Sequence, residues 1–483
     1  MVQKFIANLF LVIIANLLVK PYWVFGVDRV VQNTVGTDAY GLYYALFNLS
    51  LLPTMLLDAG LNQYNNNTLA KHPERASSMF SHIFPAKLAL MLLYIIIVLV
   101  LGIYKGFKFS SDEWILLVIL GLNQAFAFFI LYIRTHFTGL HLFKTDTFFS
   151  VLDKTLMIVF CSLLLYTNMF GPINITKFAA AQLFAYIITT LLGLIILIPY
   201  IKPFKFGIDK KMLKEVFRKS YPFALLAVMM AIYNRADVVM LETMHPQGDT
   251  QAGIYAKCYR LLDAFNMLAV LVAGLLMPMF ARMIKQKEDI VPLVQTAFIA
   301  LVIPATVASC FCLFQIQPIL DLLYHSNFGE TEKAVFVPVI LCIIPMAGNY
   351  IFGSLLTAAH HIKILNIISL FAIIINLVGN YIFIPKYGAV GSGYVALVTQ
   401  LFAATGSICF CVYKLNVKIS ISILLKYSIL MVLIGLSLYG LVYIKTSIGL
   451  SFLFVAILSA SGMFLLKLVQ PKQWQEVFKH LKN

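Results

Sequence analysis

The chain has 483 residues, 61% of them hydrophobic and 12% charged, with a formal net charge of +16. So few charged residues cannot clothe a chain of this length in water, which excludes a soluble globule and leaves an integral membrane protein. The basic excess does not indicate nucleic acid as a partner, because the cations fall in alternate loops between apolar stretches, the distribution that sets membrane topology.

Taking about 20 apolar residues as the length that crosses the hydrocarbon core, the sequence predicts about 14 spans. They fall at 5–27, 40–64, 81–104, 113–133, 147–167, 177–200, 220–243, 252–280, 291–315, 335–358, 362–384, 389–413, 424–443 and 448–468. The expected fold is an all-α polytopic membrane protein. At the N-terminus, Lys4 precedes an apolar stretch with no small-residue cleavage site before Lys20 and Pro21, so the first segment reads as an uncleaved helix.

Segments predicted to face the cytoplasm carry Lys71, Arg75, Lys144, the dense group from Lys202 to Lys219, Arg282, Lys285, Lys287, Lys363, Lys414 and Lys418. The opposite loops carry fewer, chiefly Arg29, Lys105, Lys108, Lys177, Lys333, Lys386 and Lys445, which places both termini in the cytoplasm. Residues 201–219 read as an amphipathic linker on the inner leaflet, with Lys210, Lys214 and Arg218 on one stripe. The tail repeats that pattern, with Trp474, Val477, Phe478 and Leu481 set against Lys472, Lys479 and Lys482, and both segments suit anionic membrane lipid.

A weak internal repeat aligns Gly41, Leu42 and Tyr43 with Gly253, Ile254 and Tyr255. The copies lie six helices apart, an even number, so they share one orientation. The expected organisation is a six-helix lobe over 1–200, the linker at 201–219, a second six-helix lobe over 220–413, and two further helices with a tail over 414–483.

Six basic residues fall inside predicted spans: Lys20, Lys87, Lys154, Arg235, Lys257 and Arg260. A cation at that depth must face a polar interior or an acid, so each is a candidate binder of an anion or a member of an ion pair with Asp58, Asp153, Asp237, Glu242 or Asp263. From the rise per residue, Arg235 and Arg260 both lie roughly 12 Å below the outer boundary. Lys257 and Arg260 share a helix face that Asp263 continues, and Asp237 lies near the depth of Lys257. Lys20 is expected in the outer half, Lys87 and Lys154 in the inner half. Arg suits phosphate because its planar fork binds two oxygens at once and keeps its proton.

Asn123, Gln124, Asn349, Asn376 and Asn380 suit interhelical hydrogen bonds better than a polar cavity. Pro53, Pro222, Pro278, Pro304 and Pro345 are expected bends. All seven cysteines fall in apolar segments, without metal-ligand spacing. No GxxxxGK[ST] or HExxH motif occurs, so no enzyme activity and no cofactor is expected.

The segments YGLYYALFNLSLL from Tyr40, LLDAGLNQY from Leu56, YNRADVVML from Tyr233, AGIYAKCYRLLDAFNMLAVLVAGLLMPMFAR from Ala252 and PKYGAVGSGYVALVTQ from Pro385 resemble the polysaccharide flippases, also called Wzx or oligosaccharide flippase proteins. These belong to the multidrug, oligosaccharidyl-lipid and polysaccharide exporter superfamily. The resemblance implies a MATE-like pair of six-helix lobes with pseudo-two-fold symmetry, a cationic central cavity and alternating access. It implies a bacterial plasma (inner) membrane and, as substrate, an undecaprenyl-pyrophosphate-linked oligosaccharide, an O-antigen, capsule or exopolysaccharide repeat unit, with glycan-assembly proteins as partners. Proton or sodium coupling would fall to Asp58, Asp237, Glu242 or Asp263. A peptidoglycan lipid flippase, a cation-coupled multidrug exporter and a membrane glycan polymerase or ligase remain as alternatives.

Overall fold

The structure, a computed structural model, describes residue 16 and residues 18–468 apart from 59, 141, 168–170, 204–206, 208–209, 325–327 and 418–419. Residues 5–15 of the first expected span and the tail around Trp474 lie outside the described residues. Among the described residues there is no strand. Eleven described helices are long and apolar enough to cross a membrane, one of them a hairpin of two spans. The chain is an all-α polytopic membrane protein.

The first unit covers Met1–Gly253. A π-helical turn, Trp23–Asp28, leads into α1 (Arg29–Val35). Gly36, at φ 89°, then turns the chain into α2 (Thr37–Leu51). The expected second span does not continue unbroken: Pro53 sits in a 3₁₀ segment, Leu52–Leu57, and Gly60 at φ 82° starts α3 (Leu61–Lys71). A proline lacks the N–H needed to continue the ladder, and glycine tolerates the left-handed backbone.

Four long helices follow: α4 (Ala76–Tyr104), α5 (Asp112–Gly139), α6 (Phe143–Tyr166) and α7 (Ile175–Ile201). Ser111 caps α5 and Asn174 caps α7, each accepting a backbone N–H with its side chain. α5 packs along α7 and α4, and Phe80, Tyr132, Ile133, Phe137, Phe149 and Leu197 build a shared core. The outward faces of these helices show Leu92, Ile96, Val100 and Ile195, the surface expected of spans in lipid.

α8 (Lys210–Met244) runs unbroken through Pro222, so the linker from Lys210 onward and the seventh expected span are one helix. α9 (Gly248–Gln286) follows after a short turn; its first residues belong to the first unit.

The second unit covers Ile254–Asn483. After the rest of α9 come α10 (Val291–Phe314), α11 (Ile316–Tyr324), α12 (Glu330–Leu341) and α13 (Ile343–Ala358). Then α14 (Ile362–Leu415) folds back at Gly388, whose φ of 53° and ψ of −135° make it a hairpin with arms 362–387 and 389–415. These are the two spans expected at 362–384 and 389–413. α15 (Ile421–Tyr443) and α16 (Ile448–Leu465) pack on α10 through Ile299, Ile303, Leu430, Ile434 and Val455.

Candidate functional site

The buried cations of the first unit are held in two ways. Lys87, 3% exposed on α4, donates to Asp58 Oδ1 at 2.8 Å and to the Leu57 carbonyl at 2.9 Å. The broken second span is what delivers that carbonyl, because its 3₁₀ segment ends beside Asp58. Arg134 on α5 makes a forked contact with Asp146, at 2.7 and 3.2 Å. Both pairs are hydrogen-bonded as well as ionic, so each acid neutralises its base locally.

Lys154 on α6 is different. Its ammonium stands 3.6 Å from Asp153, beyond a hydrogen bond, while it donates to the Tyr186 hydroxyl at 3.1 Å and lies 5.8 Å from the Trp23 ring centre. Lys20 lies within reach of the charges of Asp153, Lys154 and Arg134.

At one end of the first unit, the two glycines aligned by the internal repeat touch. A methyl group on Gly41 would stand 1.9 Å from the Asp249 carbonyl oxygen, and one on Gly253 would stand 2.2 Å from that of Thr37. Backbones approach this closely only where side chains are absent. Thr250 donates to Asp38 at 2.8 Å beside this crossing. Glu242 of α8, an expected ion-coupling residue, is bonded to Lys105. The Asp249 carboxyl is pushed above its ordinary value, first by partial burial and then by the nearby charge of Glu242.

In the second unit, Lys257 is 5% exposed, pairs with Glu332 Oε1 at 3.3 Å and lies 5.9 Å from the Tyr324 ring centre. The other Glu332 oxygen accepts the Gly329 N–H at 2.9 Å, fixing the start of α12. Arg260 stands 3.9 Å from Asp263, an ionic contact without a hydrogen bond. In the first unit Arg235 is half-buried on α8, and Asp237 on the same helix is 2% exposed.

Among the polar residues flagged for interhelical bonding, Asn380 donates to Asn376 within its own helix at 3.3 Å, while others reach a neighbouring helix. Asn123 donates to the Ala179 carbonyl at 3.1 Å, and Asn349 to Gln400 at 3.4 Å. Among the described residues no group of His, Cys, Asp and Glu is arranged to hold a metal, and the cysteines are free thiols.

Residues 5–284, more than half of the sequence, match the model of a family described as polysaccharide biosynthesis protein. The chain belongs to that family. Its fold is also that of solved transporters. A structure of the lipid II flippase MurJ in an inward closed conformation covers 95% of this chain and 100% of its own, with a TM-score of 0.73 at 14% identity. An inward-facing multidrug resistance MATE family transporter of the MOP superfamily covers 80% of this chain and 95% of its own, with a TM-score of 0.59 at 15% identity. In sequence, an uncharacterized membrane protein of Methanocaldococcus jannaschii is 23% identical over 382 residues, 76% of this chain and 88% of that protein. At such identities the likeness to the solved structures concerns the fold of this polysaccharide biosynthesis protein, and its function has to be argued from its own side chains.

Proposed function

We propose that this polysaccharide biosynthesis protein is a flippase that moves an undecaprenyl-pyrophosphate-linked oligosaccharide, a repeat unit of O-antigen, capsule or exopolysaccharide, from the inner to the outer leaflet by alternating access of two lobes. The observation that carries it is Lys154, a basic side chain beside Trp23 and Tyr186 whose ammonium stands 3.6 Å from Asp153, with Lys20 within reach of its charge, inside a bundle of membrane-spanning helices. Cations there offer charge to a pyrophosphate, and aromatic faces suit sugar rings. The sugar and pyrophosphate are the part that cannot cross lipid unaided, because their polar groups would lose water without replacement. The prenyl chain can stay in the bilayer.

Arg260 and Arg235 extend this reading. A guanidinium can hold two phosphate oxygens at once, and Arg260 is 3.9 Å from Asp263, whereas the forked Arg134–Asp146 pair serves mainly to position. Lys257, paired with Glu332, and Lys87, paired with Asp58, fall on the structural side. For proton or sodium coupling the candidates are Asp58, Asp237, Glu242 and Asp263, of which Asp58 is hydrogen-bonded to Lys87 and Glu242 to Lys105.

The test is cellular. Deleting the gene, in a strain without a redundant flippase, is expected to trap lipid-linked oligosaccharide on the cytoplasmic face, and Arg260→Ala or Lys154→Ala protein is expected to restore little transport while inserting normally. Arg260→Lys should be intermediate. Normal delivery of glycan to the outer leaflet without the protein would refute the function, and full complementation by both alanine variants would assign these bases to structural pairing.

A further inference from the structure

The hairpin α14 carries an apolar groove that plays no part in the site above. It is lined by Ile375, Gly379, Phe383 and Tyr387 of the first arm and by Gly391, Tyr394, Val395 and Val398 of the second, and encloses about 450 Å³. Two glycines make its floor. A methyl group on Gly379 would meet the Val395 side chain at 2.8 Å, and one on Gly391 would meet the Phe383 carbonyl at 2.9 Å, so the arms pack with no room for a side chain at either glycine. Rings and a branched side chain make its walls: Phe383, Tyr387, Tyr394 and Val398 are all exposed. The opposite face of the first arm buries Asn376 and Asn380 into the second unit, so the groove faces away from that unit's interior.

A groove on the outside of a membrane-spanning hairpin is bathed in hydrocarbon, which narrows its occupant to a lipid chain. From Ile375 to Tyr387 the groove follows the helix for about 18 Å, close to the ~15 Å depth of one leaflet's hydrocarbon. One acyl chain fills that length, whereas a long polyprenyl chain would overrun it. At the tip, Pro385–Gly388, the exposed Lys386 brings a positive charge to the membrane–water boundary next to Tyr387, where a phosphate headgroup lies.

We propose that this groove binds one acyl chain of an anionic glycerophospholipid, with the headgroup phosphate held at Lys386. The proposal does not depend on the transported substrate. Bulk lipid is as apolar as the groove, so burying a chain there gains nothing from the hydrophobic effect; selection comes from close packing on the aromatic walls and from the lysine. The site should therefore show itself as preference for an anionic lipid over a zwitterionic one.

Native mass spectrometry of the full chain, released from micelles containing equal amounts of phosphatidylglycerol and phosphatidylcholine, reads this directly. Wild type is expected to retain one phosphatidylglycerol in preference by about fivefold, the effect of one lysine on an anionic headgroup. Lys386→Gln should bring the ratio near one while a lipid is still retained, and Val398→Trp, which fills the groove from an exposed position, should remove the retained lipid. Both sites are at the surface, and an unchanged melting temperature confirms folding. The proposal is overturned if the preference survives in folded Lys386→Gln, if folded Val398→Trp retains as much lipid as wild type, if added polyprenyl phosphate displaces the phospholipid, or if the species without lipid is a dimer.

Discussion

Gly41→Ala tests the backbone crossing between α2 and the start of α9. The added methyl group would sit 1.9 Å from the Asp249 carbonyl oxygen, where an ordinary contact begins at 3.4 Å, so one backbone must recede by 1.5 Å. No rotamer can relieve a clash with backbone. The displacement also pulls Thr250 away from Asp38, now bonded at 2.8 Å. Overpacking costs about 1–3 kcal/mol and the lost hydrogen bond about 1 kcal/mol, while alanine returns about 1 kcal/mol of helix propensity. The net expectation is a loss of about 2 kcal/mol. Gly353→Ala is the control, because a methyl group there meets nothing within 4 Å, and it should leave stability unchanged or raise it slightly. Thermal unfolding in detergent, followed by circular dichroism, compares the two. Gly41→Ala unfolding at or above the temperature of Gly353→Ala would refute the close approach.

Two further outcomes follow from the charge pairs. Glu332→Ala leaves Lys257 buried without this partner and should cost about 3–5 kcal/mol, most of it recovered in Glu332→Ala with Lys257→Met, and unfolding of single and double variants decides this. Asp249 has its carboxyl raised above the ordinary value, first by partial burial and then by Glu242, with Asp38 and Glu113 acting in the same sense and Lys105 against them. An acid whose folded pKa is raised binds its proton more tightly when folded, so the stability it contributes is present in acid and lost as pH rises through the raised value. Asp249→Asn should therefore stabilise the protein at neutral pH and converge with wild type below pH 3.8, the ordinary value; a gap that widens in acid would contradict this.

The spans are legible in the sequence because the length of an apolar run is set by the bilayer and not by tertiary contacts. Breaks within them are less so. Pro53 and Gly60 together interrupt the second span, yet Pro222 passes inside the unbroken α8, so a proline alone does not announce which outcome its surroundings allow. Gly388 joins two spans in a single left-handed residue, and only the preceding Pro385 hints at it.

The candidate site shows where such reading stops. Arg134, Asp146, Lys105 and Glu332 each engage a buried or partly buried partner, and each lies within three residues of an expected span end, on the side that counting discards. The physical reason is reach. The helices continue past the hydrocarbon boundary, and Arg, Lys and Glu side chains extend along the axis, so a charge rooted at the rim can meet one rooted deeper. Neutralisation must therefore be judged over spans lengthened by about a turn at each end. Judged so, Lys257 acquires a close acid in Glu332, as Lys87 already has in Asp58. Lys154 stands 3.6 Å from Asp153 and Arg260 3.9 Å from Asp263, neither at hydrogen-bond distance from that acid, so Lys154→Ala and Arg260→Ala are the variants that weigh the proposed anion binding against local pairing.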